Sequence, residues 1–164
     1  MDDLASTHPV FGRLHHVGLV VRDIDQAIAH FEALGFGPFR INDALRVLAI
    51  DFAGELHGKP AEWQTKVSNG RFGDVEFELL EPSRGAQALR ESLNAEGEGL
   101  HHLGFMTTDV GYENTKLRAI IAEQTARGAT VWTSSFREDA PSFCYFAPSK
   151  VGNLAIEVRT PGEG

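Results

Sequence analysis

The sequence holds a single cysteine, Cys144, so no internal disulfide can form and a reducing, cytoplasmic setting is expected. With no base partner in view, Cys144 is not a candidate nucleophile. No run approaches the roughly 20 apolar residues of a membrane span, and no membrane partner is expected. The start, Met1-Asp2-Asp3-Leu4, lacks a basic, then apolar, secretory pattern. Positive charge is scarce: 15 Lys and Arg against 23 Asp and Glu give a formal net charge of −8. That balance argues against nucleic acid, whose phosphates need a basic face. A small anionic ligand needs only a local cluster. What is present is a globular composition, 42% hydrophobic and 23% charged, over 164 residues, enough for one domain with a sizeable interior.

Within that chain one phrase is written twice. Leu14-His15-His16-Val17-Gly18-Leu19 returns as Leu100-His101-His102-Leu103-Gly104-Phe105. Each copy is followed at the same distance by an aspartate, Asp23 and Asp109, placed to open a helix. Each half ends on a glutamate with a proline four places on: Glu78-Leu79-Leu80-Glu81-Pro82 and Glu157-Val158-Arg159-Thr160-Pro161. The chain is an internal repeat.

The periodicity places a loose arm over residues 1–13 and a first module over 14–83. A linking helix occupies 84–99 and a second module 100–160, the two modules forming one domain over 14–160. The first half predicts a strand at 14–21, then a helix with Ile24, Ala27, Ile28, Phe31 and Leu34 at helical spacing, stopped at Gly35. A strand at 45–52 and a loop over 54–60 come next. Two strands, 62–68 and 74–81, then flank a turn at Asn69-Gly70. The linking helix is expected over 84–95. The second half repeats the order, with a strand at 100–107, a helix at 114–127 stopped by Gly128, and strands at 130–133, 143–147 and 154–159. Loops are expected at 138–142 and 148–153, and a frayed tail from Pro161. The fold class is α+β: two tandem βαβββ modules forming a curled mixed sheet around a metal-binding cup, with helices outside.

Strand parity selects the candidate site. His16 lies across from Val17 and Leu19, and His102 across from Leu103 and Phe105. Glu78 lies across from Phe77 and Leu79, and Glu157 across from Ile156 and Val158. Apolar neighbours claim one face, so the four side chains point to the other and converge if the sheet curls. His15 and His101 fall on the packed face, and Glu76 sits one rung from Glu78; none joins the four. Two imidazoles and two carboxylates suit one divalent ion with open coordination positions: zinc, nickel, cobalt, manganese or iron(II).

These motifs, from Leu14 to Thr160, resemble the vicinal oxygen chelate (glyoxalase/bleomycin resistance/dioxygenase) superfamily. They are closest to methylmalonyl-CoA epimerase and glyoxalase I relatives. The resemblance implies that His16, Glu78, His102 and Glu157 hold the ion, and that a proton is moved next to a carbonyl through a stabilised enolate, as in an isomerase, epimerase or lyase. Such epimerases carry an acidic base on the strand before the Glu78 strand. Here that stretch, Gln64-Thr65-Lys66-Val67-Ser68-Asn69, has no carboxylate. The glyoxalase-like alternative is a metal-bound glutamate acting as base, which makes Glu157, or else Glu78, the expected catalytic residue. The implied substrate is a small carbonyl compound, an acyl-CoA among the candidates. A homodimer is the assembly the resemblance suggests. Two other functions belong to the same resemblance: an iron-dependent ring-cleaving dioxygenase, and a non-catalytic antibiotic-binding protein. Phe39, Phe52, Trp63, Phe72, Phe136, Phe143 and Tyr145 are the aromatics available for an apolar wall, at least half of them expected in the core. Arg71, Lys66 and Lys150 are the cations weighed for an anionic group.

Overall fold

The computed structural model describes residues 11, 13–85, 87–107, 114–148 and 152–161. The expected N-terminal arm, apart from residues 11 and 13, lies outside the described residues, as do Asp109, Lys150 and the tail beyond Pro161. The elements run β1 (Leu14–Val20), α1 (Ile24–Ala33), β2 (Leu48–Leu56), β3 (Lys59–Phe72), β4 (Val75–Gly85) and α2 (Ala88–Glu96). Then come β5 (Gly99–Met106), α3 (Asn114–Ala126), β6 (Val131–Ser135), β7 (Phe143–Phe146) and β8 (Ala155–Arg159). This is the βαβββ order twice. The eight strands close into a barrel in the order β1-β4-β3-β2-β6-β7-β8-β5. Corresponding strands of the two halves meet at both seams, β1 antiparallel to β5 and β2 antiparallel to β6.

Local chemistry explains the elements. Asp23 caps α1, its Oδ1 accepting from the Gln26 backbone N–H at 3.0 Å. The helix lays Ile24 and Ile28 on Leu79 and Phe39, and the chain turns at Gly35 with φ 88°. On the other half α3 sets Leu117 on Cys144, Phe146 and Val158. Both helices thus cover the outside of the barrel. The linking helix α2 does something different. Its Leu89 and Leu93 pack against Val20, Val67 and Leu80. Val20 shares a strand face with His16, and Leu80 with Glu78, so α2 plugs the barrel interior from one end.

Three local expectations change. Residues 54–60 are not a loop: β2 runs on through Leu56, and a tight turn at His57-Gly58, both at positive φ (51° and 71°), leads straight into β3. Asn69-Gly70 is not a turn but part of β3. Gly70 lies against the Phe39 ring, where an added Cβ would stand 2.8 Å from ring carbons, and the reversal comes at Gly73 with φ 61°. The linking helix begins at Ala88, because Arg84 and Gly85 still pair with Gln64 and Trp63 in β3. Among the described residues no helix is long and apolar enough to cross a membrane.

The two seams are unequal. β1 and β5 pair along most of their length, whereas β2 and β6 are registered only at Glu55–Ser134 and Leu56–Thr133. Side chains reinforce the short seam: Thr133 Oγ1 donates to Glu55 O at 2.7 Å and Ser135 Oγ to Ala53 O at 2.8 Å. Gly54 permits this approach, since a Cβ there would lie 2.0 Å from Ser134 O. Gly54→Ala is expected to part β2 from β6. Hydrogen exchange should then show lost protection at Leu56 and along β6, with the β1–β5 seam still protected; unchanged protection in β6 would show that the seam does not need the glycine.

Candidate metal centre

Each of the four sequence-selected residues is held by a central part of a strand, and all four side chains enter the barrel. His16 comes from β1, Glu78 from β4, His102 from β5 and Glu157 from β8, the four strands that run side by side around the β1–β5 seam. Both histidines are fully buried, and Glu78 and Glu157 are 7% and 3% exposed. One donor atom from each lies within 4.8 Å of the other three. His16 Nε2 stands 2.9 Å from His102 Nε2, 2.7 Å from Glu157 Oε2 and 3.5 Å from Glu78 Oε2. His102 Nε2 is 3.3 Å from Glu157 Oε2 and 3.7 Å from Glu78 Oε2.

The histidines fit because each faces a glycine of the other half. Antiparallel pairing sets His102 opposite Gly18 and His16 opposite Gly104. A Cβ on Gly18 would fall 1.9 Å from Cε1 of His102, and one on Gly104 would fall 2.0 Å from Cε1 of His16. The repeated His-x-Gly is therefore a pair of rings and a pair of vacancies, exchanged across the seam. Strand parity selects the rings alone; the signal for the vacancies is the His-x-Gly spacing in both halves.

The donor set fits a metal ion. Donors held about 2.1 Å from a common ion stand on the order of 3.0–3.4 Å apart, and the observed separations scatter around that range. They make a poor hydrogen-bond cluster by contrast. Glu157 Oε2 has no hydrogen-bond partner of acceptable geometry, even with His16 Nε2 so near. Two carboxylates buried together also need a countercharge. Without an ion, His16 supplies part of it. Burial works against its charge, but Glu157 and Glu78 outweigh burial and raise its pKa. For Glu157, burial likewise opposes ionisation, yet His16 and His102 hold its carboxyl well below the usual range.

His15 and His101 stay outside the four, but both touch them. His15 Nδ1 lies 3.1 Å from His16 Nδ1, and His101 Nδ1 lies 3.0 Å from His102 Nδ1. Burial, and then the neighbouring histidine, lowers the pKa of His15 to about 4 and that of His101 to about 3. Both are neutral at pH 7. One tautomer suits metal binding: Nδ1–H of each inner histidine donates to a bare Nδ1 on its neighbour, and each inner Nε2 keeps a lone pair facing the site, at the cost of an unpartnered buried Nε2–H on His101. Glu76 remains apart, its pKa raised by burial and by Glu78.

Beside the four donors lies a cavity of about 710 Å³, its open mouth included, into which Glu78 and Glu157 project. Phe52, Trp63, Phe143 and Tyr145 line it; Phe39, Phe72 and Phe136 do not. Phe39 is core under α1, Phe72 stacks on Phe36, and Phe136 lies under the Arg118 guanidinium. Of the weighed cations, Lys66 pairs with Glu81 at 2.7 Å and Arg71 lines a different cavity with Glu76. The cations in the main cavity are Arg137 and Arg159. Arg159 was legible, since it stands two residues from Glu157 and so shares its face.

The family profile described as the Glyoxalase/Bleomycin resistance protein/Dioxygenase superfamily matches residues 15–147. The chain belongs to this superfamily. No curated protein sequence matches it significantly. Among solved structures, methylmalonyl-CoA epimerase from Mycobacterium tuberculosis is similar at 18% identity and TM-score 0.60, over 97% of this chain and 94% of that one. A variant of the Streptomyces coelicolor methylmalonyl-CoA epimerase, in complex with 2-nitronate-propionyl-CoA, is similar at 20% identity and TM-score 0.58, over 94% and 99%. A hypothetical protein from Bacillus halodurans shares 18% identity at TM-score 0.60, over 93% and 96%. At these identities the likeness to the superfamily structures is one of fold.

Gly18→Ala and Gly104→Ala are each expected to displace the facing imidazole and weaken binding of a divalent ion about 10- to 100-fold, measured by metal titration of chelator-treated protein. Equal affinity in both variants would show that the rings do not depend on these vacancies. Burial, and then Glu157, pushes the Cys144 thiol up to about 12. It is expected to resist alkylation at about pH 8.5, where an ordinary thiol is half ionised, and to react once the chain is unfolded.

Proposed function

We propose that this chain is a metal-dependent enzyme that moves a proton on a carbon next to a carbonyl, as an isomerase, epimerase or lyase. The observation that carries the reading is the convergence of four buried donors, two from each half, beside an apolar cavity. His16, Glu78, His102 and Glu157 are the residues that would hold one divalent ion. When bound, such an ion supplies Lewis acidity to a carbonyl oxygen, which acidifies the neighbouring C–H.

The residues do the rest. Phe52, Trp63 and Phe143 exclude water from the carbon that reacts. His15 and His101, neutral and in contact at Nδ1, hold the inner imidazoles in the tautomer that leaves Nε2 free. Glu157 is the expected base, receiving the proton at a carboxylate oxygen. Glu78 is the alternative base. Residues 14–160 act as one unit in this reading, because the linking helix forms part of the interior. Glu78 beside the other three donors favours proton transfer over ring cleavage by an iron(II) site, which needs open positions for both dioxygen and substrate. A full donor set likewise favours catalysis over simple sequestration.

Elemental analysis of the purified protein should find about one divalent ion per chain. Deuterium exchange at carbon should then appear with one member of a panel of acyl-CoAs and 2-oxo compounds. Glu157→Gln is expected to lower that exchange by about 10²- to 10⁴-fold with metal content retained. Full exchange in Glu157→Gln, with the metal in place, would move the base to Glu78.

A further inference from the structure

The cavity holds two guanidinium groups that the proton transfer does not use. Arg159 follows Glu157 by two residues on β8 and projects into the cavity beside it. Its Nε is buried without a hydrogen-bond partner. Its Nη1 stands 3.7 Å from Glu78 Oε1, beyond hydrogen-bond reach. A guanidinium stays cationic at any physiological pH. A guanidinium presents five N–H donors in a fixed fork, and leaving such donors unengaged in a buried place is unfavourable. Arg137, half-buried on the segment after β6, lines the same cavity. Three other polar side chains of the lining are already engaged. Thr65 Oγ1 donates to Gln87 Oε1, Gln87 Nε2 donates to the carbonyls of Gln64 and Arg84, and Thr133 Oγ1 donates to Glu55 O.

Charge points the same way. A divalent ion held by Glu78 and Glu157 would balance the two carboxylates. Among the described residues, the charges then left on the lining are those of Arg159 and Arg137, both positive. Glu76 lies one rung farther along β4, outside the lining. Beside Arg159 the wall turns aromatic, beginning with Phe143, its cross-strand neighbour on β7. Phe52 stacks on Trp63 with centroids 5.6 Å apart and planes 21° apart. Phe143 meets both edge-on, at 5.4 and 6.4 Å, and Tyr145 lies 5.3 Å from Phe143. Flat rings arranged this way suit a planar, apolar body.

We propose that the substrate is a compact carbonyl compound with an aromatic or similarly planar apolar body and a separate anionic group, and that Arg159, assisted by Arg137, binds that group. The carbonyl part of this statement and the charge balance, which assumes a bound ion, rest on the proposed function; the unpartnered Arg159 guanidinium and the aromatic body rest on the cavity alone. Arg159 is thus a specificity-determining residue, and the anion it accepts is distinct from any oxygen on the ion.

The test compares two probes on the protein as purified with its metal: 3-phenylpropionate and its neutral counterpart 3-phenylpropionamide, by titration calorimetry. The acid is expected to bind at least about tenfold more tightly, the range of a charge-assisted hydrogen bond. Arg159→Met is expected to abolish that preference with metal content unchanged, and Arg137→Met to reduce it. Arg159→Lys keeps the charge without the fork and should retain part of the preference; it serves as the second variant if the methionine variant does not fold. Equal binding of acid and amide by the native chain overturns the anion assignment, and binding of neither probe overturns the aromatic body. A preference that survives in Arg159→Met or is undiminished in Arg159→Lys means that the guanidinium fork does not hold the carboxylate. Loss of metal in Arg159→Met means that Arg159 acts by placing Glu78. The two readings fail separately. A chain without metal that still prefers the acid keeps this inference and loses the proposed reaction, and a chain that exchanges protons at carbon while ignoring the acid does the reverse.

Discussion

The interaction on which the site depends is steric before it is electrostatic. Each inner imidazole occupies the space above a glycine of the opposite half, and the register of β1 against β5 makes the two exchanges simultaneous. A strand pairing shifted by one residue would turn both rings to the helix-covered side. The long β1–β5 seam is therefore more than barrel closure. It sets two Nε2 atoms 2.9 Å apart, and the parallel partners β4 and β8 bring one carboxylate in from each side.

Electrostatics then makes the cluster demanding. Four polar groups sit in a buried place where unpaired charge is costly. The protein meets part of the need with a nearby guanidinium and with carboxylates that raise the pKa of His16, and leaves Glu157 Oε2 without a proper hydrogen bond. A divalent ion satisfies all four donors at once. Farther out, His15 and His101 keep the tautomers in order, and His101 is itself fixed by stacking on Trp132 at 5.5 Å.

Much of this was legible in the chain. The repeated His-His-x-Gly phrase and the two Glu-to-Pro spacings announced the duplication, and period-two parity sent all four side chains to one face. What escaped was non-local. Gly54 and Gly70 look like turn residues in sequence, but they are in strands because another backbone or ring comes within a Cβ's distance of them. That neighbour, Ser134 in one case and Phe39 in the other, is tens of residues away. The part played by α2 escaped for the same reason. Its Leu89 and Leu93 show an ordinary amphipathic stripe, and only closure of the barrel shows that the stripe faces the interior rather than an outer sheet face. Arg159 is a different case. Its parity with Glu157 puts it on the ligand face, and only the closed barrel shows that this face also lines the cavity.

The mutual arrangement of rings and glycines also bears on how such a chain can change over time. A side chain gained at either glycine is felt in the other half, so the two halves are bound together in inheritance as well as in space. A permuted chain with the halves in reverse order would preserve every contact across that seam. A solitary half would keep its histidine and have nowhere to lay it.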